Sequence, residues 1–267
     1  MESPSISARV DNGSATALPD GYVRIAAGGR TGVACAWAAA TVQDLLHRGT
    51  LRAWAAAQPT HERLHGRGVA YGVTLPAGPT AAGATSVVVR RNRHGGFLRA
   101  LTGQLFLKPT RGPRELATAL RLAAAGIPTP ELVAYAVYPV AGLLARSDVM
   151  TRRLPEGADR PSAWRNSDAA ARESILRAVA ALLRSLARAN ARHPDLNLKN
   201  IYLAGRAPAI TAYALDVDRV SFEANGDAAG CNFRRLARSA RKWRHRWGLD
   251  FQEDTLARLA ELAGEKA

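Results

Sequence analysis

His193-Pro-Asp-Leu-Asn-Leu-Lys-Asn200, followed by Ala214-Leu-Asp-Val-Asp-Arg219, is the stretch from which the rest of this chain is read. Asp195 stands five residues before Asn200, and Asp216 ends an apolar run sixteen residues beyond that asparagine. Phosphoryl transfer from a nucleotide needs such groups: a carboxylate to orient and deprotonate a hydroxyl, and two oxygen ligands for a divalent cation. Mg²⁺ is hard and takes carboxylate and amide oxygens, while ATP phosphates fill its other positions. The competing reading of Asp195 and Asn197 is that they only form turns or cap a helix, as Asp and Asn commonly do in loops.

A chain of 267 residues can hold one large domain or two small lobes around a cleft. Its hydrophobic content of 47% is ordinary for a globular protein. The apolar run from Val33 to Ala40 is too short for a membrane span and is followed by Gln43 and Asp44. Met-Glu-Ser-Pro-Ser lacks the basic region and apolar core of a secretory signal. Cys35 and Cys231 lie far apart without metal-ligand spacing, so both are expected to be small apolar residues in a reducing cytoplasm. Lys and Arg number 37 against 22 Asp and Glu, a net charge of +15. That surface suits polyanions: nucleic acid, anionic lipid headgroups or phosphorylated glycolipid. Neither an RNP-type motif nor a zinc finger nor an aromatic-interleaved basic patch is present, so no nucleic-acid partner is expected.

Residues 1–20 are polar and small and are expected to form a loose tail. Ala34 to Ala57 reads as helix broken at His47-Arg-Gly-Thr50, with Trp54 a candidate core residue. Strands are expected at Val69–Leu75 and Ser86–Arg90, separated by a turn from Pro76 to Gly83. A helix over Arg114–Ala125 is closed by Gly126, with Pro128 and Pro130 beyond it. Strands near Glu131–Tyr138 and Leu143–Leu154 follow, then a long helix over Ser167–Asn190 with Asp168 near its start. Strands Ile201–Leu203 and Ile210–Leu215 flank a turn at Gly205, and helices are expected around Asn232–Trp247 and Glu253–Leu262. Strands with one helix, then mostly helices, is the two-lobed kinase plan. We therefore expect an α+β fold with a β-rich, nucleotide-binding N-lobe over 21–152, carrying an N-terminal helical extension. A mostly helical, catalytic and acceptor-binding C-lobe over 153–267 would follow a hinge near Thr151–Glu156.

The other parts of a nucleotide site fall into place around Asp195, the candidate base, and the candidate metal ligands Asn200 and Asp216. Gly66-Arg-Gly68 precedes a strand, where glycines let backbone N–H groups approach phosphates. Arg90 ends Val87-Val-Val-Arg90 where a phosphate-holding lysine would stand, and a guanidinium can grip phosphate bidentately. Lys108 is a rival beyond the strand. Glu115 is the carboxylate expected to partner Arg90, although a glutamate in a first helical turn is favoured by the macrodipole anyway. Asp218 reads either as a second metal ligand or as a partner to Arg219, the pairing being the expectation, and His193 is expected to prop the loop by hydrogen bonding. Arg93-His94-Gly95-Gly96 reads as a basic loop that touches substrate or turns the chain. Asn197, two residues after the base, replaces the lysine usual in protein kinases and weighs against a protein substrate.

The chain resembles the lipopolysaccharide kinases, in particular 3-deoxy-D-manno-octulosonic acid (Kdo) kinase and its heptose-kinase relatives. The similarity is carried by Gly66-Arg-Gly68, Val89-Arg-Arg-Asn-Arg-His-Gly-Gly-Phe97, Arg114-Glu115 and Gly126-Ile-Pro-Thr-Pro130. It continues through Asp148-Val-Met-Thr151, the 193–200 loop, Leu215-Asp-Val-Asp-Arg219 and Asn232-Phe-Arg-Arg-Leu-Ala-Arg-Ser-Ala-Arg-Lys242. Asp-Val-Asp stands where the family has Asp-Phe-Asp, and Arg93-His94-Gly95 where it has Arg-Arg-Gly. The resemblance implies an enzyme that uses ATP and Mg²⁺ to phosphorylate a sugar hydroxyl of the lipid A–core precursor, at the cytoplasmic face of the inner membrane. It puts the family's catalytic aspartate at Asp195 and its metal residues at Asn200 and Asp216. A soluble small-molecule kinase of the aminoglycoside or choline type shares H-x-D-x-x-x-x-N; a silent kinase-like binding module has its best support in Arg90, and intact Asp195, Asn200 and Asp216 argue against it. The basic residues Arg234 to Arg246 either meet an anionic membrane or form a solvated face with Leu236, Ala240 and Trp243 turned inward.

Overall fold

The computed structural model describes residues 18–65, 68–78, 83–92, 106–107, 110–223 and 226–265. Its N-terminal half is built on β1 (Tyr22–Ala27), β2 (Arg30–Cys35), β3 (Glu62–His65), β4 (Val69–Leu75), β5 (Thr85–Arg91), β6 (Phe106–Leu107), β7 (Leu132–Ala141) and β8 (Leu144–Arg152). These make one antiparallel sheet in the order β1-β2-β7-β8-β5-β4-β3, with β6 also pairing with β8. Helices α1 (Ala39–Arg48) and α2 (Leu51–Ala57) cover one face, and α3 (Arg111–Ala124) lies against the other. Successive strand residues face opposite sides, so Ala34, Ala134 and Met150 join the α1–α2 core while Val33, Tyr135 and Val149 pack with Leu116 of α3. Covering both faces explains why Leu132-Val-Ala-Tyr-Ala reads as an unbroken apolar run.

The start of this lobe corrects the expectation of helix from Ala34. Ala34 and Cys35 belong to β2, which pairs with β1 across Gly28–Gly29, and the helix begins only at Ala39. Both glycines have positive φ, 54° and 73°, as a two-residue hairpin turn demands. Trp54 is only partly buried against the core, whereas Leu51 and Ala55 are fully buried. The turn between β4 and β5 includes residues 79–82, outside the described residues.

The second lobe follows from β8 through β9 (Gly157–Asp159), α4 (Arg160–Arg165), α5 (Ala169–Arg188), β10 (Ala191–Arg192), β11 (Ile201–Ala204), β12 (Thr211–Ala214), β13 (Ser221–Phe222), α6 (Ala228–Trp247) and α7 (Glu253–Ala263). Asp168 caps α5 by accepting from the Ala171 N–H at 2.8 Å. Ile175, Leu176, Val179, Leu182, Leu183 and Leu186 recur at helical spacing and face the largest core, with β11, β12, α6 and α7 around them. Ala119 and Leu122 of α3, with Ile127 just beyond it, belong to this same core. Helix α3 is thus seated on both lobes.

Candidate functional site

A cleft of about 1480 Å³ lies between the sheet and the helical lobe, lined by Gly68, Ala70, Val88 and Arg90 on one side and Asp195, Asn200 and Asp216 on the other. The β3–β4 connection brings Gly68 to it. Gly66, Lys108 and Arg93 to Gly96 lie outside the described residues.

Arg90 reaches its position because β5 is an inner strand, with Arg90 opposite Val149 of β8. Its partner arrives on α3, which lies close to the sheet at Gly112: a Cβ there would stand 2.6 Å from the Tyr135 ring. One turn further on, the Glu115 carboxylate accepts from the Arg90 guanidinium. The helix starts three residues earlier than expected, so Glu115 sits in the second turn and is 4% exposed. The macrodipole therefore does not account for it. Burial pushes the Glu115 carboxyl up from its ordinary range, and the Arg90 guanidinium opposes that shift. Arg90 also donates to Asn92 Oδ1 at 2.9 Å and lies 3.9 Å from Asp216 Oδ1. Phosphate oxygens arriving in the cleft would meet a guanidinium already aimed and braced.

The 193–200 loop is held from below. His193 is 1% exposed; its Nε2 donates to the Leu215 carbonyl at 2.9 Å, joining the 193–200 loop to the strand that leads to Asp216. Its Nδ1 has no partner among the described residues. Burial accordingly pushes the imidazole below its ordinary value. Asn197 takes the capping role: its Oδ1 accepts from the Lys199 and Asn200 N–H groups at 2.9 and 3.3 Å, starting the 3-10 turn Leu198–Asn200. The Asn200 amide nitrogen donates to the Asp195 carbonyl at 2.8 Å. That fixes the amide plane and leaves its carbonyl oxygen as the atom for a ligand. Asp216 adopts the left-handed region, φ 55° and ψ 49°, and its side chain is 44% exposed. An amide oxygen and an exposed carboxylate in one cleft are a donor set that suits Mg²⁺.

Asp218 does not pair with Arg219, as expected, but with Arg111 of α3, at 3.0 Å. The adjacent Asp218 and Arg219 share a 3-10 turn, where the neighbouring α3 supplies a better-placed guanidinium.

Residues on α6 complete the site, and the sequence reading assigned them no part in it. Asn232, 1% exposed, accepts from the His193 N–H at 2.9 Å and donates to the Ala191 carbonyl at 2.8 Å. Arg235 donates to Asp195 Oδ1 at 2.7 Å and to the Pro194 carbonyl at 3.2 Å. Ser239 accepts from the Leu198 N–H at 3.2 Å. Their spacing of three and then four residues puts all three on one helical face. The stretch Asn232 to Lys242 stands out in the sequence for its family resemblance and its charge, but spacing along the chain could not reveal that Asn232, Arg235 and Ser239 brace a loop forty residues away.

The model of the lipopolysaccharide kinase (Kdo/WaaP) family matches residues 52–260. A comparison with curated proteins finds no match. Among solved structures, one described as WaaP in complex with acyl carrier protein is similar, at 16% sequence identity over 85% of this chain and 87% of that one, with a TM-score of 0.49.

Proposed function

Because the chain belongs to the lipopolysaccharide kinase (Kdo/WaaP) family, we propose that it transfers the γ-phosphoryl group of ATP to a Kdo or heptose hydroxyl of the lipid A–core precursor. The observation that carries this reading is a single cleft holding Asp195, Asn200, Asp216 and the Arg90–Glu115 pair. Asp195 accepts the proton of the attacking sugar hydroxyl and aims its oxygen at phosphorus. Arg235, through its bond to Oδ1, positions that carboxylate at the cleft. Arg90 holds phosphate oxygens and offsets charge that develops on the transferred group. Asn200 and Asp216 would hold Mg²⁺, which would neutralise phosphate charge. Gly68, which lines the cleft, lets phosphate oxygens approach the backbone.

An acceptor carried on lipid puts the enzyme at a membrane surface, and we propose a peripheral position on the cytoplasmic face of the inner membrane. The excess of arginine and lysine supports this through attraction to anionic headgroups. Among the described residues no helix is long and apolar enough to cross a membrane.

The test is incubation of purified protein with γ-labelled ATP, Mg²⁺ and lipid A precursors bearing Kdo or heptose, beside an Asp195→Ala control. Label on the glycolipid that disappears in the variant is the expected result. Clear nucleotide binding without transfer to either sugar would overturn the acceptor assignment.

A further inference from the structure

The cleft runs on past Asp195 along α6, where Arg238, Lys242, Trp243 and Trp247 line it. Arg235 marks the end that holds Asp195; at ~1.5 Å per residue Trp247 lies about 18 Å further along the axis, well beyond the reach of one sugar ring. Charge is distributed unevenly on this helix. Arg234, Arg241 and Arg244 pair with Asp227 or Glu253 on its outer sides. Arg238 and Lys242 face the cleft, are exposed, and have no ion-pair partner among the described residues. At the far end the Trp243 and Trp247 rings lie 4.4 Å apart between centroids. Trp247 is 49% exposed, the sole aromatic among the large exposed hydrophobic residues described. Lys199 from the base loop sits over Trp243 at 5.4 Å and ties this end to the site.

An indole face is flat, apolar and negative at its centre, so it attracts the weakly positive C–H hydrogens on the apolar side of a pyranose ring. Two unpaired cations ahead of such a face suit an anionic substituent.

We propose that this face of α6 is an acceptor subsite. Trp247, backed by Trp243, stacks on a sugar ring remote from the reacting hydroxyl, and Arg238 and Lys242 hold an anionic group between that ring and Asp195. The ligand class is an extended anionic oligosaccharide headgroup, not an isolated monosaccharide. This inference rests on the sugar-kinase reading and adds where, and at what length, the acceptor is gripped.

The experiment compares kcat/KM for free Kdo with that for a lipid A precursor carrying a three-sugar acidic core, in wild type, Trp247→Ala and Arg238→Ala/Lys242→Ala. Wild type is expected to favour the long acceptor, and each variant to shrink that advantage by about tenfold through KM, with KM for ATP unchanged. Binding of the long acceptor without nucleotide, followed by tryptophan fluorescence, should weaken in parallel. An unaltered advantage in folded variants would overturn the subsite while leaving the kinase reading intact. So would weakened binding to acceptor-free phosphatidylglycerol vesicles with the advantage unaltered, which would make the tryptophans a membrane contact. Absence of transfer to any sugar by wild type would overturn the kinase reading, and the subsite with it.

Discussion

Arg90–Glu115 in the cleft and Arg177–Glu173 on the outside of α5 bring the same two chemical groups together under different access to water. The side chains of the first pair are 29% and 5% exposed; those of the second are 65% and 33% exposed. Water screens the outer pair and solvates either partner when the other is removed, so such contacts contribute roughly 0–1 kcal/mol. Glu115 has no such refuge, and one of its oxygens lacks any partner among the described residues. Among 37 basic residues, then, surroundings rather than number mark those that shape the site. Arg90, Arg111 and Arg235 each meet a carboxylate that lines the cleft, Glu115, Asp218 and Asp195.

The largest effect should come from the cleft. Asp195→Ala is expected to lower transfer by about 10²–10⁴-fold while the melting temperature and ATP binding stay close to wild type. Labelled-phosphate transfer beside calorimetry checks this, and full turnover would remove Asp195 from the role of base. Next is Glu115→Gln, which leaves the Arg90 guanidinium facing a neutral amide. We expect a loss of ~3–5 kcal/mol in urea unfolding. A loss under 1 kcal/mol would erase the contrast between the two pairs.

His193 extends the comparison to pH. Its folded value lies below the ordinary 6.5 because of burial, so its contribution to stability is full above that value and is lost as pH falls. Protonation of the partnerless Nδ1 would leave a buried N–H without an acceptor. Stability should therefore decline below pH 6.5 by up to ~1.4 kcal/mol per pH unit, and His193→Gln should flatten that slope in unfolding curves taken from pH 7.5 to 5. The smallest effect belongs to the outer pair: Arg177→Ala should shift stability by no more than ~0.5 kcal/mol, and less in high salt.

Legibility in the sequence followed the range of the physics. That Asp195, Asn200 and Asp216 line one cleft was readable because one short loop and one strand–turn unit carry them, and spacing along the chain stands in for distance. The long helices were readable from apolar periodicity, with Asp168 as cap and Gly126 as stop. The β1–β2 hairpin was missed although Gly28–Gly29 announced it, because the alanines that follow look helical. Arg235 and Arg111 were invisible as partners of Asp195 and Asp218, since only the fold decides which arginine meets which carboxylate. Arg90–Glu115 could be paired in advance because Glu115 is the one carboxylate on its helix and Arg90 ends the run Val87-Val-Val-Arg90, with Arg91 beside it turned instead to Asp148.

The seating of α3 has a consequence for control. Swinging that helix outward would separate Glu115 from Arg90, and could in principle switch a catalyst of this kind off. Here such a swing would expose Leu122 to water on one side and Leu116 on the other, and would break Arg111 from Asp218. Two buried leucines alone oppose it by about 3–6 kcal/mol. The packing that seats the helix on both lobes is thus also what keeps Glu115 on Arg90.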